Sequence, residues 1–308
     1  MTQPSPAPSP KPIQALKGVR ILSLALNLPG PAALMRCRAM GAKCVKLEPP
    51  PHPAAPKGSS GDPMGVYKRE AYDAMHQGVR VVCADLKTEA GQKVLHRELA
   101  KTDVLVTSFR PSALRKLALD WKTLHRQYPA LSMVEIVGSP GARAEEPGHD
   151  LTYVAECDLV NGLELPATLY ADMGGSLMAS EAVLQARLQQ LQKDKGVRLE
   201  VALSDAAAYL ALPRTWGLTT PGAAVGGGHA GYRVYACKDG RVALAALEPH
   251  FAAALASEVG LKQSNIFAMF APETHTAVKR FLAGKTRAEL QALASARDIP
   301  LLTLTPAR

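Results

Sequence analysis

The feature that most constrains the fold is an alternation of short apolar runs with helix-like segments across the first half of the chain. The run VRILSLAL at residues 19–26 favours a strand, and the Pro-Gly-Pro break after it separates it from a helix-forming segment. The pattern predicts strands at 19–26, 44–47, 79–86, 103–109 and 133–137, and helices at 32–40, 90–100, 112–117 and 124–128. We therefore expect an α/β fold with a mostly parallel sheet and helices on both faces.

The carboxyl edge of this sheet is the expected ligand site. No GxGxxG follows the first strand, so the fingerprint of a dinucleotide-binding protein is absent. A ligand can still bind at the carboxyl end of the strand, over the N-terminus of the next helix. Residues 49–63 are rich in Pro, Gly and Ser and form a loop that is long for a compact domain, which is typical of mobile or functional segments.

Two titratable side chains flank an apolar connection at residues 151–170. His149 precedes it in Gly-His-Asp, and Asp172 follows it in Asp-Met-Gly-Gly. Each can take up or release a proton, and we expect Asp150 to fix the tautomer of His149. The absent side chains of Gly174 and Gly175 would let backbone N–H groups approach a ligand. A helix is predicted only after them, at residues 176–192.

The second half of the chain contains a smaller domain. A strand at 198–204 and a helix at 205–212 close the first domain, and residues 213–231 form a Pro- and Gly-rich loop that lacks the Lys-Ser/Thr of a P-loop. Strands at 232–236 and 242–247 form a hairpin around Lys-Asp-Gly, and helices follow. The predicted organisation is a disordered Pro-rich leader (1–15), a large domain (16–212) and a smaller domain (213–308).

Composition excludes several classes of protein. The formal charge is +9, but the basic residues are dispersed, which argues against a nucleic-acid partner and suits a small polyanionic ligand. No apolar run is long enough for a membrane span. The five cysteines form no CxxC pair, so we expect neither a disulfide framework nor a zinc site, and a cytoplasmic location.

Nine short motifs, in order, resemble CoA-transferase family III (CaiB/BaiF) proteins. They are LKGVRIL (16–22), PGP (29–31), GA (41–42), VKLE (45–48), DLK (85–87), SFRPSAL (108–114), GHD (148–150), DMGG (172–175) and ALEP (246–249). The resemblance implies a Rossmann-like large domain, a smaller second domain and an interlocked homodimer. It also implies acyl-CoA substrates, with coenzyme A as part of the substrate and no metal or redox cofactor.

The same resemblance assigns roles to residues. Asp172 matches the aspartate that both the transferases and the α-methylacyl-CoA racemases use. His149 matches the racemase histidine, where transferases more often have Tyr, and Glu248 matches the carboxylate that supports it. Gly174 and Gly175 would supply N–H donors to an enolate oxygen. The residues that match CoA-contacting segments are Asn27, Arg80, Ser108, Phe109, Arg110, Lys116, Leu117 and Asp150.

These matches favour a racemase of 2-methylacyl-CoA thioesters that transfers a proton between His149 and Asp172. A CoA-transferase with Asp172 as nucleophile is the alternative, and a non-catalytic acyl-CoA-binding protein is a second one. Two departures from the family motivate the latter. Pro49 stands where many members have an Arg that contacts the nucleotide, and the chain runs on less far past residues 298–300 than relatives do, which predicts a truncated smaller domain.

Overall fold

The computed structural model describes residues 13–56 and 58–306. The chain divides into two compact units, with the boundary between Ala211 and Leu212. Most of the leader predicted at residues 1–15 lies outside the described residues.

The first unit is built on a six-stranded sheet in which every neighbouring pair is parallel. Its strands are β1 (Arg20–Ser23), β2 (Lys43–Glu48), β3 (Arg80–Cys83), β4 (Val104–Thr107), β5 (Ser132–Val137) and β6 (Arg198–Ala202). The order across the sheet is β3-β2-β1-β4-β5-β6. The chain therefore winds outward in both directions from β1 and β4, and the loops after these two strands diverge and leave a crevice at the carboxyl edge.

Helices cover both faces of this sheet, as the strand–helix alternation predicts. They are α1 (Pro29–Ala39), α2 (Met64–Tyr67), α3 (Arg69–Met75), α4 (Glu89–Leu99), α5 (Pro111–Lys116), α6 (Trp121–Gln127), α7 (Asp150–Glu156), α8 (Tyr170–Lys193) and α9 (Leu203–Leu210). Successive strand residues point to opposite faces, so Ile21 packs in a core with α1 and α8 and Leu22 in a core with α4, α5 and α6. Apolar residues on both faces explain why the strands read as continuous apolar runs.

The structure corrects the sequence prediction in the middle of the chain. The apolar segment expected to be a connection contains α7, and the helix expected from residue 176 begins at Tyr170. The described residues of the loop predicted at 49–63, which are 49–56 and 58–63, contain no helix or strand, as expected, but the sequence did not predict the short α2 and α3 that follow. Gly174 and Gly175 consequently lie inside α8 and not in a loop before it.

The second unit contains an antiparallel sheet of three strands, β7 (Tyr232–Cys237), β8 (Gly240–Ala245) and β9 (Leu301–Leu304). The predicted hairpin is confirmed: Cys237 pairs with Gly240 across the turn. Its helices are α10 (Leu212–Thr215), α11 (Pro249–Val259), α12 (Ile266–Met269), α13 (Pro272–Ala283) and α14 (Arg287–Arg297). A separate core of buried side chains from β7, β8, α11, α13 and α14 holds this unit together.

Candidate active site

A cavity of about 170 Å³ opens at the carboxyl edge of the parallel sheet. We call it the His149–Asp172 cavity, because both side chains line it. The residues that line it with them are Leu26, Asn27, Pro29, Ser108, Phe109, Arg110, Ile136, Val137, Gly138, Ala144, Glu146, Gly148, Tyr153 and Leu203. They follow β1, β4, β5 and β6, so the cavity lies at the crevice where ligands bind in sheets of this order.

Asp172 lies in the first turn of α8 and its side chain is mostly buried. Burial raises the pKa of its carboxyl group, and the nearby carboxylate of Asp150 raises it further, whereas the charge of His149 acts in the opposite direction. The resulting pKa is about 6, well above the ordinary value of 3.8. A carboxyl group with a pKa in this range can both accept and donate a proton near neutral pH.

Asp150 fixes the start of the Asp172 helix. Its buried carboxylate accepts a hydrogen bond of 3.0 Å from the backbone N–H of Asp172. That N–H belongs to the first turn of α8, where backbone donors have no acceptor within their own helix. The side chain of Asp150, at the start of α7, therefore accepts from a backbone donor of α8 that has no partner in its own helix. This bond links the segments that carry His149 and Asp172.

His149 immediately precedes α7 and is exposed to solvent. The hydroxyl of Thr152 accepts a 3.1 Å hydrogen bond from the His149 N–H and donates a 2.7 Å hydrogen bond to the His149 carbonyl. These bonds fix the backbone at the start of the helix, as a capping residue does. The imidazole is thus carried by an ordered turn at the wall of the cavity, on a different helix from Asp172.

The expectation that Gly174 and Gly175 supply free N–H donors is wrong. Both lie within α8, where each N–H donates to the carbonyl four residues earlier. Their lack of side chains serves packing instead: a Cβ on Gly175 would overlap Leu203 of α9, and one on Gly174 would lie 3.1 Å from Leu210. The two glycines allow α8 and α9 to approach closely.

Sequence reasoning missed two further polar residues of the cavity, Tyr153 and Glu146. The Tyr153 ring is buried against the backbone of Gly148, where an added Cβ would lie 2.7 Å from ring carbons. Burial and the charge of Asp172 raise the pKa of Tyr153, so its hydroxyl stays protonated and can donate a hydrogen bond. No sequence signal marks Tyr153, because the pattern predicts a connection and not a helix at residues 151–170.

A second cavity, of about 730 Å³, adjoins the first and shares Leu26 and Phe109 with it. We call it the Lys116 cavity. Lys116 and Leu117 line it together with Lys87 and Thr88 and with apolar side chains from the ends of the strands. Two lysines beside an apolar cavity can bind a ligand that combines a flat apolar group with phosphates.

A hydrogen bond joins the loops after β1 and β4, which lie between the two cavities. The hydroxyl of Ser108, after β4, accepts a 3.3 Å hydrogen bond from the N–H of Leu26, after β1. Asn27 follows with a positive φ of 64° and lines the His149–Asp172 cavity. Six of the sequence-predicted contacts thus lie along one continuous edge: Asn27, Ser108, Phe109, Arg110, Lys116 and Leu117.

Two further predicted site residues are Arg80, at the start of a strand of the first unit, and Glu248, in the second unit. Arg80 is the first residue of β3, at the amino end of the sheet, where it forms an ion pair with Glu98. The ends of a strand lie on opposite edges of the sheet, and Arg80 lines neither of the two cavities. Glu248 belongs to the second unit, where it is exposed and directly precedes α11.

Metal-ligand clusters and membrane-spanning helices are both absent from the part of the chain that the structure describes. No group of three His, Cys, Asp or Glu side chains there could hold a metal ion. No helix there is long and apolar enough to cross a bilayer.

Residues 16–307 match the family model for CoA-transferase family III. Alpha-methylacyl-CoA racemase of Mus musculus is 28% identical over 296 residues, an alignment that covers 89% of this chain and 73% of the racemase. Cinnamoyl-CoA:phenyllactate CoA-transferase of Clostridium sporogenes is 35% identical over 141 residues, which cover 44% of this chain and 34% of that protein. Similar proteins thus carry names of both kinds, racemase and transferase.

Solved structures show the same fold. The crystal structure of Rv3272 from M. tuberculosis superposes with a TM-score of 0.77 at 23% identity, covering 94% of this chain and 84% of that one. A CAIB/BAIF family protein from Brucella suis superposes with a TM-score of 0.73 at 20% identity, covering 95% and 84%. At these identities the structures establish the architecture and not the reaction.

Proposed function

The chain belongs to CoA-transferase family III, and on that premise we propose that it is an enzyme that racemises 2-methylacyl-CoA thioesters. The observation that carries this proposal is the presence of His149 and Asp172, from different helices, in one cavity. A two-base racemase needs two proton-transfer groups that reach opposite faces of one carbon. The raised pKa of Asp172, about 6, suits a group that acts as base in one direction and as acid in the other.

The proposed reaction is a 1,1-proton transfer. The thioester carbonyl acidifies the α-hydrogen, and either His149 or the Asp172 carboxylate removes it to form an enolate. The protonated form of the other group then delivers a proton to the opposite face, so that no proton is gained or lost overall. The Tyr153 hydroxyl and the Arg110 guanidinium also belong to this cavity and can stabilise the enolate oxygen, a role that Gly174 and Gly175 cannot fill.

Coenzyme A would extend along the edge from one cavity to the other. The small His149–Asp172 cavity suits the reacting carbon, and the larger Lys116 cavity suits the nucleotide. Asn27, Ser108 and Phe109 would lie between these ends, with Lys116 and Leu117 at the nucleotide. Glu248 and homodimer formation stay in the proposal because of the motifs alone, and we leave Arg80 out of it. The reaction requires no metal or redox cofactor.

A CoA-transferase is the second candidate, supported by the transferases among the similar proteins. In that reaction the Asp172 carboxylate attacks the thioester carbonyl, expels CoA thiolate and forms a mixed anhydride. The thiolate then attacks the aspartyl carbonyl and releases the free acid, which leaves an aspartyl-CoA thioester for the incoming acid. Ionised Asp172 in the same cavity could begin either reaction, so His149 distinguishes them.

The test is deuterium incorporation at the α-carbon. The protein is incubated with (2R)- and with (2S)-2-methylacyl-CoA in D₂O, and the product is analysed by mass spectrometry and for its configuration. We expect exchange and inversion with both isomers, and a loss of about 100-fold or more in His149→Gln, as for removal of a general base. His52→Gln, a change at another exposed histidine, is the matched control.

The outcomes separate three functions. If the protein shows no α-exchange but moves CoA to an added free acid, it is a transferase. Hydroxylamine should then trap a modified Asp172. Calorimetric binding of coenzyme A with neither exchange nor transfer identifies a binding protein. Either result would overturn the racemase proposal.

A further inference from the structure

A cluster of buried charges lies under the loop that follows β2, outside both cavities. Lys46 and Asp62 have fully buried side chains, and Glu48 and His76 are also buried. Taking a lysine and an aspartate out of water is unfavourable unless hydrogen bonds satisfy them. The proposed reaction uses none of these groups, so the burial of four ionisable side chains here requires another explanation.

Lys46 is fully satisfied within the cluster. Its ammonium group pairs with the Asp62 carboxylate, lies 3.4 Å from Glu48 and is 3.1 Å from Nε2 of His76. Nδ1 of His76 lies 2.6 Å from the carbonyl oxygen of Tyr72, which can only accept a hydrogen bond. The proton of His76 is therefore on Nδ1, and Nε2 accepts from Lys46.

Asp62 connects this cluster to the proposed substrate site. One of its oxygens pairs with Lys46. The other accepts a 3.0 Å hydrogen bond from the backbone N–H of Asn27 and a 2.9 Å hydrogen bond from that of Met64. Asn27 belongs to the loop after β1, so a side chain from the segment after β2 holds the backbone of the proposed CoA-contacting loop.

The Asn27 loop has a particular need for such support. Its φ of 64° is in the left-handed region, which residues other than glycine adopt uncommonly. The prolines at 29 and 31, which follow it, lack backbone N–H groups and cannot anchor the loop by donating hydrogen bonds. The hydrogen bond to Asp62 is thus a direct restraint on the backbone of a residue that lines the His149–Asp172 cavity.

We propose that Asp62 is a positioning residue that holds the Asn27 loop in its ligand-binding conformation, and that Lys46 holds Asp62 in place. The inference rests on the proposed function, because it concerns the same coenzyme A site. Without the restraint, the loop would visit the binding conformation only part of the time. A loop that is competent for a tenth of the time weakens the apparent affinity about tenfold.

A purely structural role makes a different prediction. Replacing a buried ion pair with uncharged groups of similar size is often neutral for stability. If the pair only stabilises the fold, any well-packed uncharged replacement will serve. If Asp62 positions the loop, the replacement must keep the oxygen that accepts from Asn27.

Two double variants separate these roles. Lys46→Met with Asp62→Asn removes both charges and keeps a side-chain oxygen that can accept from Asn27 and Met64. Lys46→Met with Asp62→Leu removes both charges and that oxygen as well. The two versions therefore differ in the side-chain amide that accepts from Asn27. Both leave Glu48 without the ammonium group, but its hydrogen bonds from Ser60, Gly61 and Tyr72 remain, so this cost is the same in both. Glu135→Gln is the control for general loosening, because it weakens the pair between buried Glu135 and exposed Arg198 elsewhere in the sheet.

The dissociation constant of coenzyme A is measured by calorimetry on the full chain, with amide hydrogen exchange of the unliganded protein in the peptide that contains Asn27. We expect the Asp62→Leu double variant to bind about tenfold more weakly and to exchange faster at that peptide. The Asp62→Asn double variant and the Glu135→Gln control should stay within about threefold of the unmodified protein. Unfolding midpoints identify any variant that has lost its fold.

Equal affinity and equal exchange in the two double variants would overturn the inference. If the Asp62→Leu version does not fold, Lys46→Met with Asp62→Ser takes its place, because Ser is too short to reach both N–H groups. Slower exchange at the Asn27 peptide in the Asp62→Asn version than in the Asp62→Ser version would then support the inference, and equal exchange would overturn it. Failure of the unmodified protein to bind coenzyme A would instead refute the proposed function. The exchange measurement would still show whether Asp62 holds the loop.

Discussion

Asp62 and Asp172 are both buried aspartates near the carboxyl edge of the same sheet, but their surroundings differ. Asp62 is fully buried and accepts hydrogen bonds from Lys46 and from two backbone N–H groups. Asp172 is mostly buried beside another carboxylate, Asp150, and lines a cavity. The first aspartate is surrounded by donors, whereas the second has a negative neighbour.

This difference separates a structural carboxylate from a candidate catalytic one. The Lys46 ammonium group and two backbone N–H groups satisfy the Asp62 carboxylate by hydrogen bonding. Burial and the charge of Asp150 disfavour the anion of Asp172 and raise its pKa to about 6. Groups that the fold destabilises in this way are enriched at functional sites. The comparison predicts opposite responses when the two aspartates are changed.

The largest expected effect is on activity. Asp172→Ala should lower α-deuterium exchange by about 10⁴-fold or more, because the proton-transfer group is absent in both directions. Asp205→Ala, at an exposed aspartate in the first turn of α9, is the control and should exchange normally. Exchange at near-normal rates in Asp172→Ala would show that the proton is handled by another group.

The next effect is on stability at Asp62. Asp62→Asn keeps an oxygen for the backbone donors but leaves Lys46 without its closest anion. Breaking a buried pair by removing one partner costs about 3–5 kcal/mol, and we expect the lower end because Glu48 lies 3.4 Å from the ammonium group. Urea unfolding at pH 7 measures the change. A free energy of unfolding within about 1 kcal/mol of the original would mean that the pair contributes little.

The corresponding substitution, Asp172→Asn, should change the free energy of unfolding in the opposite direction at high pH. Its carboxyl pKa is about 6 in the folded state and 3.8 in the reference state, a difference worth about 3 kcal/mol. As the pH rises from about 4 to 6, the unfolded chain releases this proton first, so the folded state loses stability and the loss is complete above pH 6.

Asp172→Asn removes the ionisation and should therefore stabilise the protein by up to about 3 kcal/mol at pH 8 and hardly at all at pH 4. Urea unfolding at both pH values measures the difference. A loss of stability at pH 8 would contradict the view that the fold disfavours the ionised form of this group.

The fold was largely readable from the sequence because it depends on repeated local patterns. Apolar runs of strand length with helices between them predict a parallel sheet, and the six strands of that sheet fall within a few residues of the predicted ones. The order of the strands was not readable, because it depends on which helix packs on which face. The partner of Lys46 was not readable either, since Asp62 comes from a loop whose path has no periodic signal.

The errors at the site have physical causes. Gly174 and Gly175 were placed in a loop because glycine disfavours helix by about 1 kcal/mol. Tertiary packing overrides that preference, since α9 leaves no room for a side chain at Gly175. The assignment of Arg80 to the ligand stays a prediction from the motifs, while the strand pattern puts Arg80 at the amino end of β3 and parallel sheets bind ligands at the carboxyl ends of their strands.

The smallest expected effect tests the negative neighbour itself. Asp150→Asn keeps an oxygen that can accept from the Asp172 N–H, so the start of α8 should hold, but it removes the charge that raises the Asp172 pKa after burial. The Asp172 pKa should fall from about 6 and stay above 3.8, because burial is the larger cause and persists. In the direction in which Asp172 removes the proton, the acidic limb of the kcat/KM profile should move to lower pH.

The profile is measured by deuterium incorporation, and Glu156→Gln, another acidic residue of α7, is the matched control. An acidic limb that stays in place in Asp150→Asn would mean that burial alone raises the Asp172 pKa. The contrast with Asp62 would then come from the hydrogen-bond donors that Asp172 lacks and not from the charge of Asp150.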